Sequence, residues 1–481
     1  MKEKEEKVLF YGGKGMSLIP LIMFVASCVL FFVVLKDYAM ESLCVGGFCA
    51  LMIGSIFAKK KDKYWNSVVK GMASETMGTL ALILMIVGMF GKMMTRAGIA
   101  NGFVWLGDMM GLSGGLFTGF TFVAVCIISM ATGTSIGTLF TAFPILYPSG
   151  ILLGANPVML AGAILSGAIF GDNVAPISDT TIASAATQEY TKKHGVADIG
   201  GVVATRMKYA LVAAGIALVL FIIFGGSGAG VDAGGHEILA QYKNPSGLIM
   251  LIPVVILLFV AVKTQSIFRA CTWGIISGIV IGLVSGVLTP ADIVSMENGS
   301  LAGFLIDGVK NMLGTFGYLY AVAGIIGVLH GSGMMEAIIE KLIHSKLNQT
   351  AVGSEIIIAI GLMVSSICLG SANGPAIIMF GPIANDIGKS KELHPYRRAN
   401  LMDGFGSTLP VVIPVTSSFI FIVISCIQGA AQEYSFIQQL SPISIAGATL
   451  HCWILFVVLV FSVITGWGRR YEGKDGIPEK R

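Results

Sequence analysis

The chain has 481 residues, of which 55% are hydrophobic and only 12% are charged, and its formal net charge is +4. A soluble protein carries about 25% charged residues, so this composition excludes a soluble globular protein and indicates one that crosses a membrane many times. Because Lys and Arg cluster in short loops, the small positive charge does not indicate nucleic-acid binding.

Eight apolar runs along the chain each have the length of one spanning helix. A helix needs about 20 apolar residues to cross the hydrocarbon core of a bilayer. Taken in chain order, these runs predict spans at residues 17–35, 42–58, 77–94, 209–225, 246–262, 272–288, 312–330 and 442–466. Each half of the chain therefore contains four of them.

Each half also contains two longer regions that polar residues interrupt. We predict re-entrant hairpins at residues 112–150 and 352–386, and broken spans at residues 156–188 and 397–432. Lys and Arg mark cytoplasmic loops, and we assign the loops that contain Lys59, Arg206 and Arg397 to the cytoplasm. These loops fit one path if each hairpin returns to the side it entered from. The prediction is about ten crossings plus two hairpins, with both termini inside.

Spaced prolines indicate an internal repeat. Pro144, Pro157 and Pro176 recur 238 positions later as Pro382, Pro395 and Pro414. The predicted fold is an all-α polytopic membrane protein with two repeats, 1–226 and 246–470, an external linker at 227–245 and a cytoplasmic tail at 471–481. Each repeat has three spans, a re-entrant hairpin, a broken span and a final span. Because five crossings per repeat is an odd number, the second repeat is inverted, as in secondary transporters.

The segment 171–181, with the sequence GDNVAPISDTT, is the strongest candidate for function. Acids such as Asp172 and Asp179 are costly within an apolar run, and they usually mark a functional site in a membrane protein. Pro176 removes a backbone donor and should break the helix. We therefore predict half of an ion or substrate site here, with Asp172 and Asp179 as candidate Na⁺ ligands.

The two hairpin tips and the two broken spans should converge near the middle of the bilayer. Hard cations prefer oxygen ligands, and the same hydroxyls have the alternative role of packing helices closely. No Arg or Lys is expected in a span near the motif, so an anionic group would depend on helix N-termini. The candidate cation- or substrate-binding residues are Thr132, Thr134, Ser135, Asp172, Asn173, Ser178, Asp179, Thr180, Thr181, Ser371, Asn373, Asp403, Thr408 and Thr416.

This segment resembles the signature of the NhaC-type Na⁺/H⁺ antiporter family, within the ion transporter superfamily. The family pattern has Gly-Asp, then Pro, then Ser-Asp-Thr-Thr, and this sequence keeps these positions. Asn173 and Ala175 differ from the commonest version, and the corresponding segment of the second half lacks the acids. The resemblance implies a multi-pass protein of a prokaryotic cell membrane, with no cofactor beyond Na⁺ and H⁺. It also leaves a homodimer open.

Two functions remain open from the residues. The first is Na⁺/H⁺ exchange, in which Asp172 and Asp179 bind either Na⁺ or protons. The second is Na⁺- or H⁺-coupled transport of a small organic solute, an amino acid or a carboxylate, bound at the hairpin tips. The sequence has no Walker or His-Glu-x-x-His motif, so we predict neither ATP-driven transport nor an enzyme.

Overall fold

A computed structural model gives the architecture of residues 7–480, except 38, 227–241, 265, 298, 335–336, 338–339 and 342–345. The predicted linker at 227–245 therefore lies mainly outside the described residues, as does the last residue of the predicted tail. The described part is mostly helical, with two small two-stranded sheets near its surface.

The described residues of the first half of the chain form ten α-helices. They are α1 (Ile19–Val29), α2 (Met40–Ile56), α3 (Lys61–Met72), α4 (Glu75–Arg96), α5 (Ile99–Met109), α6 (Gly114–Thr132), α7 (Ser135–Leu152), α8 (Pro157–Val174), α9 (Asp179–Ala186) and α10 (Ile199–Phe224). A π-helical segment, Leu30–Leu35, extends α1. The short helices α3 and α5 lie between the predicted spans, and the sequence analysis did not predict them.

The described second half has a similar order of elements. Its helices are α11 (Leu251–Thr264), α12 (Ile267–Ser285), α13 (Pro290–Ile293), α14 (Phe304–Lys310), α15 (Leu313–Ser332), α16 (Ala351–Cys368), α17 (Asn373–Lys389), α18 (Pro395–Gly406), α19 (Leu409–Val412), α20 (Ser418–Ala431), α21 (Pro442–Ala448) and α22 (Leu450–Thr465). The strands are β1 (Ser295–Glu297), β2 (Ser300–Ala302), β3 (Tyr471–Glu472) and β4 (Pro478–Glu479), each pair antiparallel.

The described residues contain ten helices that are long and apolar enough to cross a membrane, or eleven if the bent pair α21 and α22 forms one span. Large apolar side chains on the outer helices are exposed, among them Phe259 on α11 and Ile464 on α22. An apolar surface of this extent is stable only when lipid or protein covers it. The chain is therefore a multi-pass membrane protein, in agreement with the composition.

Two broken helices and two tight turns position the site. Pro176 lies two residues after the end of α8, and α9 begins only at Asp179; we call α8 and α9 the first broken helix. The second broken helix comprises α18, α19 and α20, and Pro414 lies in its second gap. In both, a proline that cannot donate a backbone hydrogen bond prevents the helix from continuing.

We call the two tight turns tip 1 and tip 2. At tip 1, Gly133 has φ +65° and joins α6 to α7. At tip 2, Gly370 and Ser371 have φ +63° and +67° between α16 and α17. Glycine reaches this left-handed region without a steric penalty, whereas Ser371 does so at a cost. Ser371 is held there by a hydrogen bond from its Oγ to the carbonyl of Pro410 on the second broken helix.

The structure corrects two assignments of basic residues to loops. The predicted span at 209–225 is part of α10, which begins at Ile199, so Arg206 lies inside this helix and is only 2% exposed. Arg397 and Arg398 are also buried, within α18. The Lys and Arg rule counts charges by sequence position, and it does not distinguish a solvated loop from the end of a long helix that is buried by its neighbours.

Candidate functional site

A cavity of about 450 Å³ lies where the two tips and the two broken helices meet. Seven of the fourteen predicted site residues line it. These are Thr134 and Ser135 beside tip 1, Asp172, Asp179 and Thr180 of the first broken helix, and Ser371 and Asn373 at tip 2. Ser418 of the second broken helix also lines it, and Thr79 of α4 and Ser407 add two hydroxyls that the sequence analysis did not select.

Asp172 accepts hydrogen bonds from one hydroxyl beside tip 1 and from one in the break of the first broken helix. Ser135 Oγ donates to Asp172 Oδ2 at 2.8 Å, and Ser178 Oγ donates to Asp172 Oδ1 at 2.7 Å. Ser178 Oγ also lies 3.0 Å from Thr180 Oγ1. Each oxygen of a carboxylate has further acceptor capacity, so Asp172 is held in place and can still coordinate a cation.

Asp179 is exposed to the cavity at the start of α9. Its Oδ1 accepts a hydrogen bond from the backbone N–H of Thr180 at 2.9 Å. Its Oδ2 lies 3.0 Å from the point that a Cβ on Gly374 would occupy, so the first turn of α17 approaches this carboxylate closely. Asp179 therefore lies between the two halves of the chain.

Four helices begin at the cavity. Ser135, Asp179, Asn373 and Ser418 are the first residues of α7, α9, α17 and α20, and all four line the cavity. A helix N-terminus carries unpaired N–H groups and a partial positive charge. The partial positive charges of these four N-termini favour an anionic group in the cavity.

A buried ion pair lies behind the cavity wall. The Arg206 guanidinium forms a short contact with the Asp403 carboxylate, and Asp403 is 0% exposed. The same guanidinium donates to Thr181 Oγ1 at 3.0 Å and to Asn400 Oδ1 at 3.0 Å. It also donates to the backbone carbonyl of Asn173, at the end of α8. The expectation that no Arg lies near the motif is therefore wrong.

The sequence does contain a signal for the position of Arg206. Asp198 accepts a hydrogen bond from the N–H of Gly201 at 2.7 Å and so caps the N-terminus of α10. Asp is a favoured N-cap residue, and this cap predicts a helix that begins before Arg206. The predicted span began at residue 209 because only residues 209–225 are continuously apolar.

The other predicted residues do not line this cavity. Asn173 Nδ2 donates to Ser407 Oγ at 3.4 Å and so links the two broken helices. Thr132 and Thr408 make hydrogen bonds close to their own positions, and Thr416 Oγ1 is buried with no hydrogen-bond partner among the described residues. The complete set outside the lining is Thr132, Asn173, Ser178, Thr181, Asp403, Thr408 and Thr416.

A second cavity, of about 620 Å³, adjoins the first, and we call it the vestibule. Leu80, Ala372, Pro375 and Ser418 line both cavities. Lys7, Lys70 and His330 also line the vestibule. The predicted topology places these residues on the cytoplasmic side, so the vestibule would connect the site to the cytoplasm.

The fold and the two cavities define a multi-pass membrane protein whose helices break around a polar, acidic centre. Residues 7–226 match the sequence model of the Na⁺/H⁺ antiporter family. The chain is similar to the malate-2H⁺/Na⁺-lactate antiporter of Bacillus subtilis (strain 168), at 28% identity over 64% of this chain and 66% of that protein. It is also similar to the Na⁺/H⁺ antiporter NhaC of the same organism, at 25% identity over 57% of this chain and 63% of that protein.

A longer match joins the chain to the arginine/ornithine antiporter ArcD of Halobacterium salinarum, at 23% identity over 87% of this chain and 84% of that protein. The matched region spans slightly under two thirds of the malate/lactate and NhaC relatives. The chain is thus similar to the NhaC-type Na⁺/H⁺ antiporters, and the resemblance predicted from residues 171–181 is confirmed.

Proposed function

We propose that this protein is a secondary active transporter that exchanges Na⁺ for H⁺ across the cell membrane of a prokaryote. One observation carries the proposal: Asp172 and Asp179 lie on opposite sides of a helix break and line the same polar cavity. A carboxylate that holds a proton loses the charge that binds Na⁺, so the two ions compete for the same group. Competition at one site, combined with alternating access to the two sides, is sufficient for exchange.

The proposal includes the topology predicted from the sequence. Two inverted repeats, with tips 1 and 2 as the turns of re-entrant hairpins and both termini in the cytoplasm, would let the site open to either side in turn. The helix breaks support this arrangement, because non-helical backbone is tolerated in a membrane only where it lies within protein or beside water. Na⁺ and H⁺ are the only bound ions that this mechanism requires, and a homodimer is compatible with it.

Proteoliposomes with a pH-sensitive dye inside would test the proposal. We expect a step in external Na⁺ to drive proton movement in the opposite direction with no other solute present. Asp172→Asn and Asp179→Asn should each abolish this flux while the protein keeps its size-exclusion profile. Exchange at the wild-type rate by both variants would exclude these acids as the ion site.

Two features favour a second candidate, the Na⁺- or H⁺-coupled exchange of a small organic solute. The cavity volume of about 450 Å³ falls within the range of small-molecule sites, about 300–1,000 Å³. The four helix N-termini at its wall would bind a carboxylate. The names of the malate/lactate and arginine/ornithine relatives suggest which solutes to test.

The two candidate functions differ in whether Na⁺ flux requires an organic solute. ²²Na⁺ uptake that appears only when malate, lactate, arginine or ornithine is added would establish solute coupling. Proton flux driven by Na⁺ alone would establish simple exchange. The Asp172→Asn variant is the matched control in both arms, because either mechanism needs this acid to hold the coupling ion.

A further inference from the structure

The side-chain amide of Asn373 has a defined orientation at tip 2. Its Nδ2 donates a hydrogen bond to Asp403 Oδ1 at 3.2 Å. A carboxylate paired with a guanidinium is ionised and can only accept hydrogen bonds, so the nitrogen of this amide must face Asp403 and the oxygen must face away. The hydrogen bond to Asp403 therefore fixes the orientation of the amide, with its oxygen directed away from Asp403.

The amide oxygen has no partner of its own. Asn373 is 9% exposed, and its Oδ1 is buried without a hydrogen-bond partner among the described residues. The backbone of Gly406 lies against this oxygen, since a Cβ at residue 406 would lie 1.9 Å from Oδ1. Asn373 and Gly406 both line the cavity that holds Asp172 and Asp179. A buried polar atom normally has a partner, so the missing one is expected to be a ligand.

Asp403 is itself held from two directions. Arg206, on α10, pairs with its Oδ2, and Thr181 of the first broken helix donates to the same oxygen at 3.3 Å. Arg206 also donates to Asn400 Oδ1, on the same helix as Asp403, at 3.0 Å. Because both contacts involve Oδ2, the Oδ1 atom of Asp403 is available to accept from Asn373. Together these hydrogen bonds connect α10, both broken helices and tip 2.

We propose that Asn373 Oδ1 is a direct ligand of the cation at Asp172 and Asp179, and that Asp403 and Arg206 are the residues that position it. Amide oxygens are suitable ligands for hard cations. Asp403, predicted from the sequence as a binding residue, acts instead as the counter-ion of Arg206 and as the acceptor that orients Asn373. This inference rests on the proposed cation transport.

The dependence of flux on Na⁺ concentration tests the inference in proteoliposomes. Asn373→Ala should raise the apparent KM for Na⁺ about tenfold with a smaller change in maximal rate, as expected when a ligand is lost. Asp403→Asn should raise KM to a similar extent, because the amide loses its fixed orientation. The double variant should be no worse than Asn373→Ala alone, since both changes act through the same oxygen.

Further variants separate positioning from folding. Arg206→Lys keeps the charge and loses the planar donor geometry, so we expect a smaller rise in KM. Ser462→Ala removes a hydrogen bond from Arg397, another buried guanidinium outside the site, and should leave KM at the wild-type value. Asn373→Ala keeps the ion pair intact, so it tests the inference even if Asp403→Asn does not fold.

The outcomes are distinct. A wild-type KM in Asn373→Ala, or additive effects in the double variant, would overturn the role of Asn373 while exchange itself stands. No Na⁺-dependent flux in the wild-type protein, with or without organic solute, would instead overturn the proposed function and with it the cation that Asn373 would bind.

Discussion

Ser135 and Asp172, on different helices 37 residues apart in sequence, are joined by a hydrogen bond of 2.8 Å from Ser135 Oγ to Asp172 Oδ2. This bond connects tip 1 to the first broken helix at the cavity wall. Because the hydroxyl belongs to the first residue of α7, any movement of tip 1 changes the surroundings of the acid. The two elements are therefore mechanically coupled at the proposed site of ion binding.

Ser135→Ala should weaken Na⁺ binding without abolishing exchange. In this variant Asp172 keeps its hydrogen bond from Ser178, so the carboxylate becomes more mobile but stays at the cavity wall. Hydrogen bonds to charged groups contribute about 1.5–3 kcal/mol, and partial compensation by water in the cavity reduces this, so we expect a rise in the apparent KM for Na⁺ of about three- to tenfold. The measurement is dye-monitored flux at a series of Na⁺ concentrations.

The matched control is Thr141→Ala, which removes another hydroxyl from α7. Thr141 Oγ1 donates only to the backbone carbonyl of Gly137, and the residue does not line the cavity. Its KM should equal that of the wild type. Equal KM values for both variants would show that the hydroxyl of Ser135 has no part in ion binding.

Glu355→Gln should destabilise the fold. Glu355, on α16, is 0% exposed and accepts hydrogen bonds from Arg397 at 2.8 and 2.9 Å and from Arg469 at 3.0 and 2.8 Å. The substitution leaves two guanidinium groups without their counter-ion, and breaking a buried pair costs about 3–5 kcal/mol. We expect a clear fall in the melting temperature of the purified protein in detergent.

Glu297→Gln is a suitable comparison, because Glu297 is exposed on β1. Its melting temperature should stay within experimental error of the wild-type value. If Glu355→Gln melts at the wild-type temperature as well, this ion-pair cluster does not support the native fold.

Acidification should weaken the attachment of the C-terminal segment to the body of the protein. The buried His394 side chain lies 3.0 Å from the carbonyl of Gly476 through Nε2, and its Nδ1 accepts from the N–H of Tyr396 at 3.2 Å. Both contacts suit a neutral ring with its proton on Nε2. Burial lowers the pKa of His394 below its ordinary value, although the contact with Gly476 and nearby Glu472 oppose this effect.

The lowered pKa of His394 makes the folded protein less stable at acidic pH. Because the unfolded chain takes up a proton at His394 near pH 6.5 and the folded protein does so only at lower pH, this residue stabilises the fold above that pH and loses its contribution as the pH falls below it. The melting temperature should therefore decrease between pH 7.5 and 5.5. His394→Asn keeps an N-cap acceptor for Tyr396 and should show a flatter profile; an identical slope would exclude His394 as the cause.

The vestibule should admit a water-soluble thiol reagent from the cytoplasmic side. Ile326 and Ile325 are neighbours on α15, but only Ile326 lines the vestibule, whereas Ile325 is 2% exposed. In a variant without the eight native cysteines, Ile326→Cys should react with a charged methanethiosulfonate in inside-out vesicles, and Ile325→Cys should not. Modification only from the outside would reverse the predicted orientation of the chain.

Much of the candidate site was predictable because its signals are local. Asp172, Pro176 and Asp179 lie within eight consecutive positions, and the structure shows the expected helix break between the two acids. Ser371 and Asn373 were selected because polar residues interrupt an apolar region, and both line the cavity. Such features need no knowledge of which helices are neighbours.

The role of Asp403 could not be predicted from local sequence signals. Asp403 and Arg206 are 197 positions apart, and each alone looks like a charge near the end of an apolar run. Thr79 was missed for a related reason, since it lies in an apolar helix far in sequence from the broken ones. Only the packing of α4, α10 and the second broken helix brings these side chains to the same place.

The sequence by itself determined that this protein crosses the membrane many times, where its helices break and which acids lie at the break, because hydropathy and proline act on neighbouring residues. The tertiary structure alone decided which breaks share a cavity, which acid faces it and which acid is paired with an arginine. Those relationships depend on contacts between helices far apart in the chain, and no local pattern encodes the partner of a buried charge.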